Sequence, residues 1–183
     1  METPDSSFNF IGKGFKHGAN FKIGKFCIIH DDVVVGDNVS IGNYTILHKG
    51  TQLGNGTVVG SYCEIGEGVV TQNNVVIQGR IRTGEFCTIE DNVTIKYGTI
   101  LTSNVLLKKN CFLGPNVITL GSTHKRVTVH GTEIGENTYI GAGSKLGGGV
   151  KVGDNIAVGA LSFINKDISE SGVYVGIPLK KIK

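Results

Sequence analysis

The stretch Val33-Val34-Val35-Gly36-Asp37-Asn38-Val39-Ser40-Ile41-Gly42-Asn43-Tyr44-Thr45-Ile46-Leu47 repeats one pattern every six residues. Val35, Ile41 and Leu47 hold an aliphatic slot, and Val33, Val39 and Thr45 hold a small or β-branched slot two residues earlier. Followed outward, the aliphatic slot runs from Ile11 and Ile23 through Ile29, Leu53, Val59, Ile65, Ile77, Ile89, Ile95, Leu101 and Leu107 to Leu113 without a slip. Its departures are His17, Thr71, Thr83 and Thr119. The earlier slot contains Phe15, Phe21, Cys27, Thr51, Thr57, Cys63, Val69, Cys87, Thr99 and Cys111.

A period of six is neither helical nor a plain two-residue alternation. Residues two apart on a strand face the same way, so the pattern reads as a short strand followed by a sharp bend. Glycine often follows the aliphatic slot, as at Gly12, Gly24, Gly36, Gly42, Gly54, Gly60, Gly66 and Gly114. These glycines are read as bend residues that need φ > 0. Three strands and three bends close a triangular coil of about 18 residues. Coils then stack about 4.8 Å apart, with their backbones paired as parallel sheets. The expected fold is all-β, a single-stranded parallel β-helix over residues 1–168, with one protruding loop and a short C-terminal tail over 169–183.

The composition agrees. There are 28 glycines, only 3 prolines and no tryptophan, and aromatics make up 7% of the chain. Such a core is filled by small branched side chains rather than large rings. The net charge of +3 is too small to argue for nucleic acid as a partner. No long apolar run is present, so no membrane span is expected. The opening Met1-Glu2-Thr3-Pro4-Asp5 has no basic start followed by an apolar run, so no signal peptide is expected. Cys27, Cys63, Cys87 and Cys111 all fall in one inward slot, which makes them small core fillers rather than disulfides, zinc ligands or a reactive thiol. Reduced buried thiols suit a cytoplasmic protein.

The rhythm breaks once. From Thr119 the next aliphatic residue in phase is Ile134, and the pattern continues through Ile140, Leu146, Val152, Val158 and Ile164. If the helix resumes on the next face, nine residues are extra, within about 120–131. A β-helix wall has no room for them, so they should loop outward, where function usually sits. This excursion carries His124 and His130. His30 and His48 lie one coil apart on the same corner and should stack. With no third histidine in fixed relation to them, they are only a weak hint of a β-helical carbonic anhydrase, a class that needs three. After Ile168 the pattern ends, and Leu179–Lys183 is read as a short helix or a tail.

These repeats resemble the hexapeptide-repeat acyltransferase family, over roughly residues 11–178. The resemblance implies a left-handed β-helix. Gly114-Pro115-Asn116-Val117 followed by Gly121-Ser122-Thr123-His124 is similar to the segment before the catalytic histidine of galactoside and xenobiotic acetyltransferases. Ile134-Gly135-Glu136-Asn137-Thr138-Tyr139-Ile140-Gly141, Ile156–Ala160, Asn165-Lys166-Asp167-Ile168 and Gly176-Ile177-Pro178 resemble their acetyl-CoA-binding end. Val93-Thr94-Ile95-Lys96-Tyr97-Gly98 resembles N-acetyltransferases of nucleotide-linked amino sugars. The chain departs from the pattern in Lys125, where the family commonly has proline, and in a shorter excursion. Both departures bear on the acceptor more than on the donor.

The resemblance implies transfer of an acetyl group from acetyl-CoA to a sugar, with the amine of a nucleotide-linked amino sugar as the leading acceptor. A saccharide hydroxyl is the alternative. His124 is the expected general base, with His130 second, since a neutral imidazole titrates near working pH. Gly141, Ala142 and Ala160 are expected along the pantetheine arm, Asn165 and Lys166 near the nucleotide end, and Lys181 or Lys183 at a phosphate. Lys96, Tyr97 and Asn116 are acceptor candidates. No metal is expected. A homotrimer is implied, in which the cleft between prisms completes the site.

Overall fold

The structure, a computed structural model, describes residues 8–123, 125–129 and 131–183. Its strands are mostly two residues long and follow the six-residue repeat, beginning at Phe10–Ile11, Lys16–His17 and Lys22–Ile23. They line up as three parallel sheets, which are the three walls of a prism. The first sheet runs from Phe10–Ile11 to Phe163–Ile164 and the second from Lys16–His17 to Lys151–Val152. The third starts at Lys22–Ile23 and ends with Gly172–Val175 and Lys180–Lys181. The first corner joins the first wall to the second, the second corner joins the second wall to the third, and the third corner returns to the first wall.

Pairing is in register at one coil per 18 residues, as in Phe10↔Ile28 and Val76↔Thr94. The inward slots are the core: Ile29, Leu47, Ile65, Ile77, Ile89, Ile95, Leu107 and Leu113 are fully buried. The ladder of the third wall continues from Leu113 to Ile140 and Val158 across the break in the repeat.

The structure assigns the bend residues differently from the sequence reading. At most corners the left-handed residue is the third after the aliphatic slot, not the first. It is asparagine at 20, 38, 74, 92, 110, 137 and 155, all on the second corner. Asparagine tolerates this conformation, and its short amide forms a ladder: Asn92 donates to Asn110, Asn110 to Asn137 and Asn137 to Asn155, at 3.1, 3.0 and 3.3 Å. The third corner holds bulkier residues there, Phe26, Tyr44, Tyr62 and Arg80, all with φ of 55–60°. Stacking offsets that cost. The rings of Phe26, Tyr44 and Tyr62 lie 5.0 Å apart, and the Arg80 guanidinium lies 5.8 Å from the Tyr62 and Tyr97 rings.

The glycines after the aliphatic slot serve close approach instead. A Cβ on Gly42 would lie 2.5 Å from the Ser61 amide nitrogen, and one on Gly24 would lie 2.6 Å from that of Asn43. Each corner therefore sits directly on the backbone of the next coil.

The small inward slot also carries more than bulk. Thr45 donates to the Gly60 carbonyl at 2.8 Å, Thr138 to Gly153 at 2.7 Å and Ser144 to Gly159 at 3.1 Å. The Cys27, Cys63 and Cys87 thiols donate to Gly42, Gln78 and Thr102 carbonyls at 3.0, 2.9 and 3.1 Å. A hydroxyl or thiol in this slot satisfies a carbonyl that the corner turns inward.

The C-terminal residues are neither a helix nor a free tail. Gly172–Val175 adds a parallel strand beside Ile156–Val158, and Lys180–Lys181 turns back antiparallel to it. No helix among the described residues is long and apolar enough to cross a membrane.

Candidate active site

The excursion interrupts the first corner. Below it the coil offset is 18 residues, as in Thr94↔Phe112, and across it the offset is 27, as in Phe112↔Tyr139, nine more. All three walls take the same step and then resume. The described part of the excursion is a small antiparallel hairpin. Ser122 bridges Thr128, the Thr123 amide donates to the Val127 carbonyl at 2.9 Å, and the Val129 amide to Gly121 at 2.9 Å. Its root is pinned to the wall, where the Leu120 amide donates to Leu146 at 2.8 Å. Gly148 in the coil above makes room for it, since a Cβ there would sit 2.9 Å from the Leu120 carbonyl and 3.0 Å from Val129 Cβ. His124 and His130 lie outside the described residues.

The other site residues fall into three groups. Lys96, Tyr97 and Asn116 share the third corner with Gly141, Ala142 and Ala160. There, a Cβ on Gly114 would lie 2.6 Å from the Ala142 amide nitrogen, and one on Gly141 would lie 2.4 Å from that of Ala160. The Lys96 ammonium stands 5.7 Å from the Phe112 ring, which stacks on Tyr139 at 5.2 Å. The Asn116 carbonyl accepts from Lys145 Nζ at 3.1 Å. Asn165 and Lys166 instead stand on the first corner, above the excursion. Lys181 stands on the final strand, with its ammonium bonded to Glu170.

The candidates for the pantetheine arm and for the acceptor thus share a corner with each other, but not with the excursion. Within one chain, Asn116 and Gly121 stand at opposite edges of the first wall, about 16 Å apart at the usual rise per residue.

His30 and His48 stack as expected, with ring centroids 5.1 Å apart. Among the described residues no group of three His, Cys, Asp or Glu side chains is arranged to hold a metal. His48 is tied to a feature that the sequence reading missed. Its Nε2 lies 3.1 Å from Glu64 Oε1, and Arg82 Nε lies 3.3 Å from Glu64 Oε2. Glu64 and Arg82 point outward from the first wall one coil apart. Reading the outward slots at an 18-residue step would have found this pair, whereas the inward slots that reveal the fold do not.

The described part of the chain is a single-stranded parallel β-helix built of hexads, with one hairpin pushed out of its wall. The chain carries that repeat: the family described as bacterial transferase hexapeptide (six repeats) matches residues 16–49 and 131–166. No curated protein sequence matches the chain. Solved structures do share its fold. PerB from Caulobacter crescentus, solved with CoA and GDP-perosamine, has a TM-score of 0.62 at 20% identity over 72% of this chain. The UDP-N-acetylglucosamine acyltransferase of Campylobacter jejuni has a TM-score of 0.74 at 19% identity, covering 97% of this chain and 73% of its own. The acetyltransferase domain of PglB from Neisseria gonorrhoeae, in complex with acetyl coenzyme A, has a TM-score of 0.52 at 19% identity over 82% of this chain. The match spans 59% of the PerB chain and 57% of the PglB chain.

Proposed function

We propose that this chain is an acyl-CoA-dependent acyltransferase that moves an acetyl group from acetyl-CoA to a sugar, in the leading case to the amine of a nucleotide-linked amino sugar. The observation that carries the reading is the nine-residue step at the first corner. A wall this regular has no structural need of it, and the extra segment, which carries two histidines in its sequence, is held on a rigid scaffold. The repeat family and the CoA-bound or acetyl-CoA-bound relatives of the same fold support the donor. PerB, solved with a nucleotide-linked amino sugar, supports the acceptor.

In this reading His124 takes a proton from the acceptor amine as that nitrogen attacks the thioester carbonyl. The thiolate of CoA then leaves and the amide forms. The pantetheine arm lies along the third corner, where Gly141, Ala142 and Ala160 present backbone with no bulky side chain. The gap of about 16 Å between that corner and the excursion favours a trimer, in which the first corner of one prism meets the third corner of the next. Asn165 and Lys166, above the excursion, would then meet the nucleotide end of CoA bound to the neighbour.

The test is His124→Ala, followed by free thiol release from saturating acetyl-CoA with a panel of amino-sugar nucleotides and simple glycosides. A general base contributes about 10²–10⁴-fold, so turnover should fall by that much while the KM for acetyl-CoA holds. Undiminished turnover would remove His124 from the role, and release with no acceptor would remove sugar acylation.

A further inference from the structure

A groove of about 530 Å³ lies on the outer face of the first wall. It runs from His48 up past Glu64, Arg82, Ile100 and Thr102 to Gly121, at the root of the excursion. From His48 to Gly121 is four coils, about 19 Å at the usual strand spacing. Its volume falls within the range of small-molecule sites.

Near its lower end stands one carboxylate held from both sides. Glu64 Oε1 accepts from His48 Nε2 at 3.1 Å, and Arg82 Nε stands 3.3 Å from Oε2 as an ion pair. An ionised carboxylate offers about four lone-pair sites, so two remain open. A carboxylate fixed in this way is preorganised to accept two hydroxyl groups together. Arg82 spends only Nε on Glu64, and its side chain is 69% exposed, so the guanidinium fork remains available to an anion. Ile100, 40% exposed, gives an apolar floor between Arg82 and the excursion. Glu67 and Glu85 line the corner side and would repel a phosphate there, which steers any anion to the wall side, beside Arg82.

We propose that this groove takes the acceptor in an extended form, with its reacting group at the excursion root and a vicinal diol on Glu64. Glu64 is then a specificity-determining residue, and His48 a positioning residue that holds it. The inference rests on the acyltransferase reading for what happens at the upper end, but not for binding at the lower end. From the Ile118 row to the Glu64 row is three coils, about 14 Å, which one sugar ring does not span. The acceptor must therefore carry a second hydroxyl-bearing ring. Two sources share this chemistry, the ribose of a sugar nucleotide and a second sugar residue.

Saturation-transfer NMR on the full chain, with UDP-glucosamine, chitobiose and glucosamine as probes, tests the proposal. At least one two-ring probe should bind the wild-type chain, and Glu64→Gln should weaken it about tenfold, the loss expected for hydrogen bonds to a charged group. Glucosamine should respond equally in both proteins. Glu64→Asp, which keeps the charge but withdraws it from His48 and Arg82, should give the same loss if Glu64→Gln fails to fold. Lys16→Gln, on the second wall and outside the groove, should bind as the wild-type chain does. Binding of UDP-glucosamine alone assigns the diol to ribose, and binding of chitobiose assigns it to a second sugar. The proposal is overturned if neither two-ring probe binds the wild-type chain, or if both Glu64 variants bind as tightly as wild type. A chain that binds the probes but releases no thiol from acetyl-CoA leaves the groove standing and removes the acyl transfer. Sugar-dependent turnover that is indifferent to Glu64 does the reverse.

Discussion

Two glycine positions separate the two roles that glycine plays in this chain. At Gly141 a Cβ would press to 2.4 Å from the Ala160 amide nitrogen, which is backbone and has little room to retreat. At Gly50, with φ of +68°, a Cβ would meet nothing within 4 Å. Gly141→Ala should therefore cost about 1–3 kcal/mol through overpacking, and Gly50→Ala about 1 kcal/mol through its left-handed backbone alone. Urea unfolding checks both, and equal midpoints would mean that the stacked corners yield more easily than this spacing implies. The sequence pattern called for glycine after the aliphatic slot but suggested the wrong reason, a bend with φ > 0 instead of the close approach of the next coil. A six-residue rhythm reports which side chains face inward and is silent on how close the next coil comes. The same silence hid the donors of Thr45, Thr138 and Cys63, since inwardness implies small size but not a carbonyl waiting 15 residues ahead.

The hairpin of the excursion is the element that gives the prism a special place. Because the ladder pairs Phe112 with Tyr139 and Leu106 with Glu133 across it, the wall does not depend on the extra nine residues. Deleting residues 122–130 should leave a folded protein with nearly unchanged circular dichroism and a melting temperature within a few degrees. The same deletion should abolish sugar acetylation. A deletion variant that still turns over at the wild-type rate would place the chemistry elsewhere. The excursion was legible from the sequence because a phase break in a strict repeat can be counted. The groove beneath it was not legible. Glu64 and Arg82 come together only when outward residues are read down the wall, and the hydrophobic pattern does not constrain those positions. The grouping of Lys96 and Tyr97 with Gly141 and Ala160 on one corner follows from the coil count, but their separation from the excursion appears only once the corners are drawn.

At the scale of the whole molecule, the buried thiols make stability depend on alkaline pH. Burial pushes Cys87 up to about 11 and Cys111 to about 12 from an ordinary 9.0, and it raises Cys27 and Cys63 in the same direction. In the unfolded chain these thiols ionise near 9.0, whereas the folded protein keeps them protonated. Their contribution is therefore complete below about pH 9 and is lost as the pH climbs toward 11 and 12. Lys108, raised above 10.5 by its bond to Glu133, loses its contribution in the same direction. The urea midpoint should be flat from pH 7 to 8.5 and should fall steadily above 9. A thiol reagent at pH 8 should find four reactive cysteines only after unfolding. A midpoint that is flat up to pH 11 would mean that water reaches the thiols.

The matched offset of the three walls has a consequence for how such a chain can change its length. Each coil rests only on the one before and the one after, and every coil presents nearly the same cross-section to its neighbour. Ancestors and descendants of this sequence can gain or lose whole turns, like floors in a tower, without moving the balcony at the first corner. Adding or removing any number of residues that does not complete a circuit must be pushed outside, as the nine here were. New surface features in this architecture therefore arise as overhangs, and the reach of the groove is set by how many floors lie beneath the balcony.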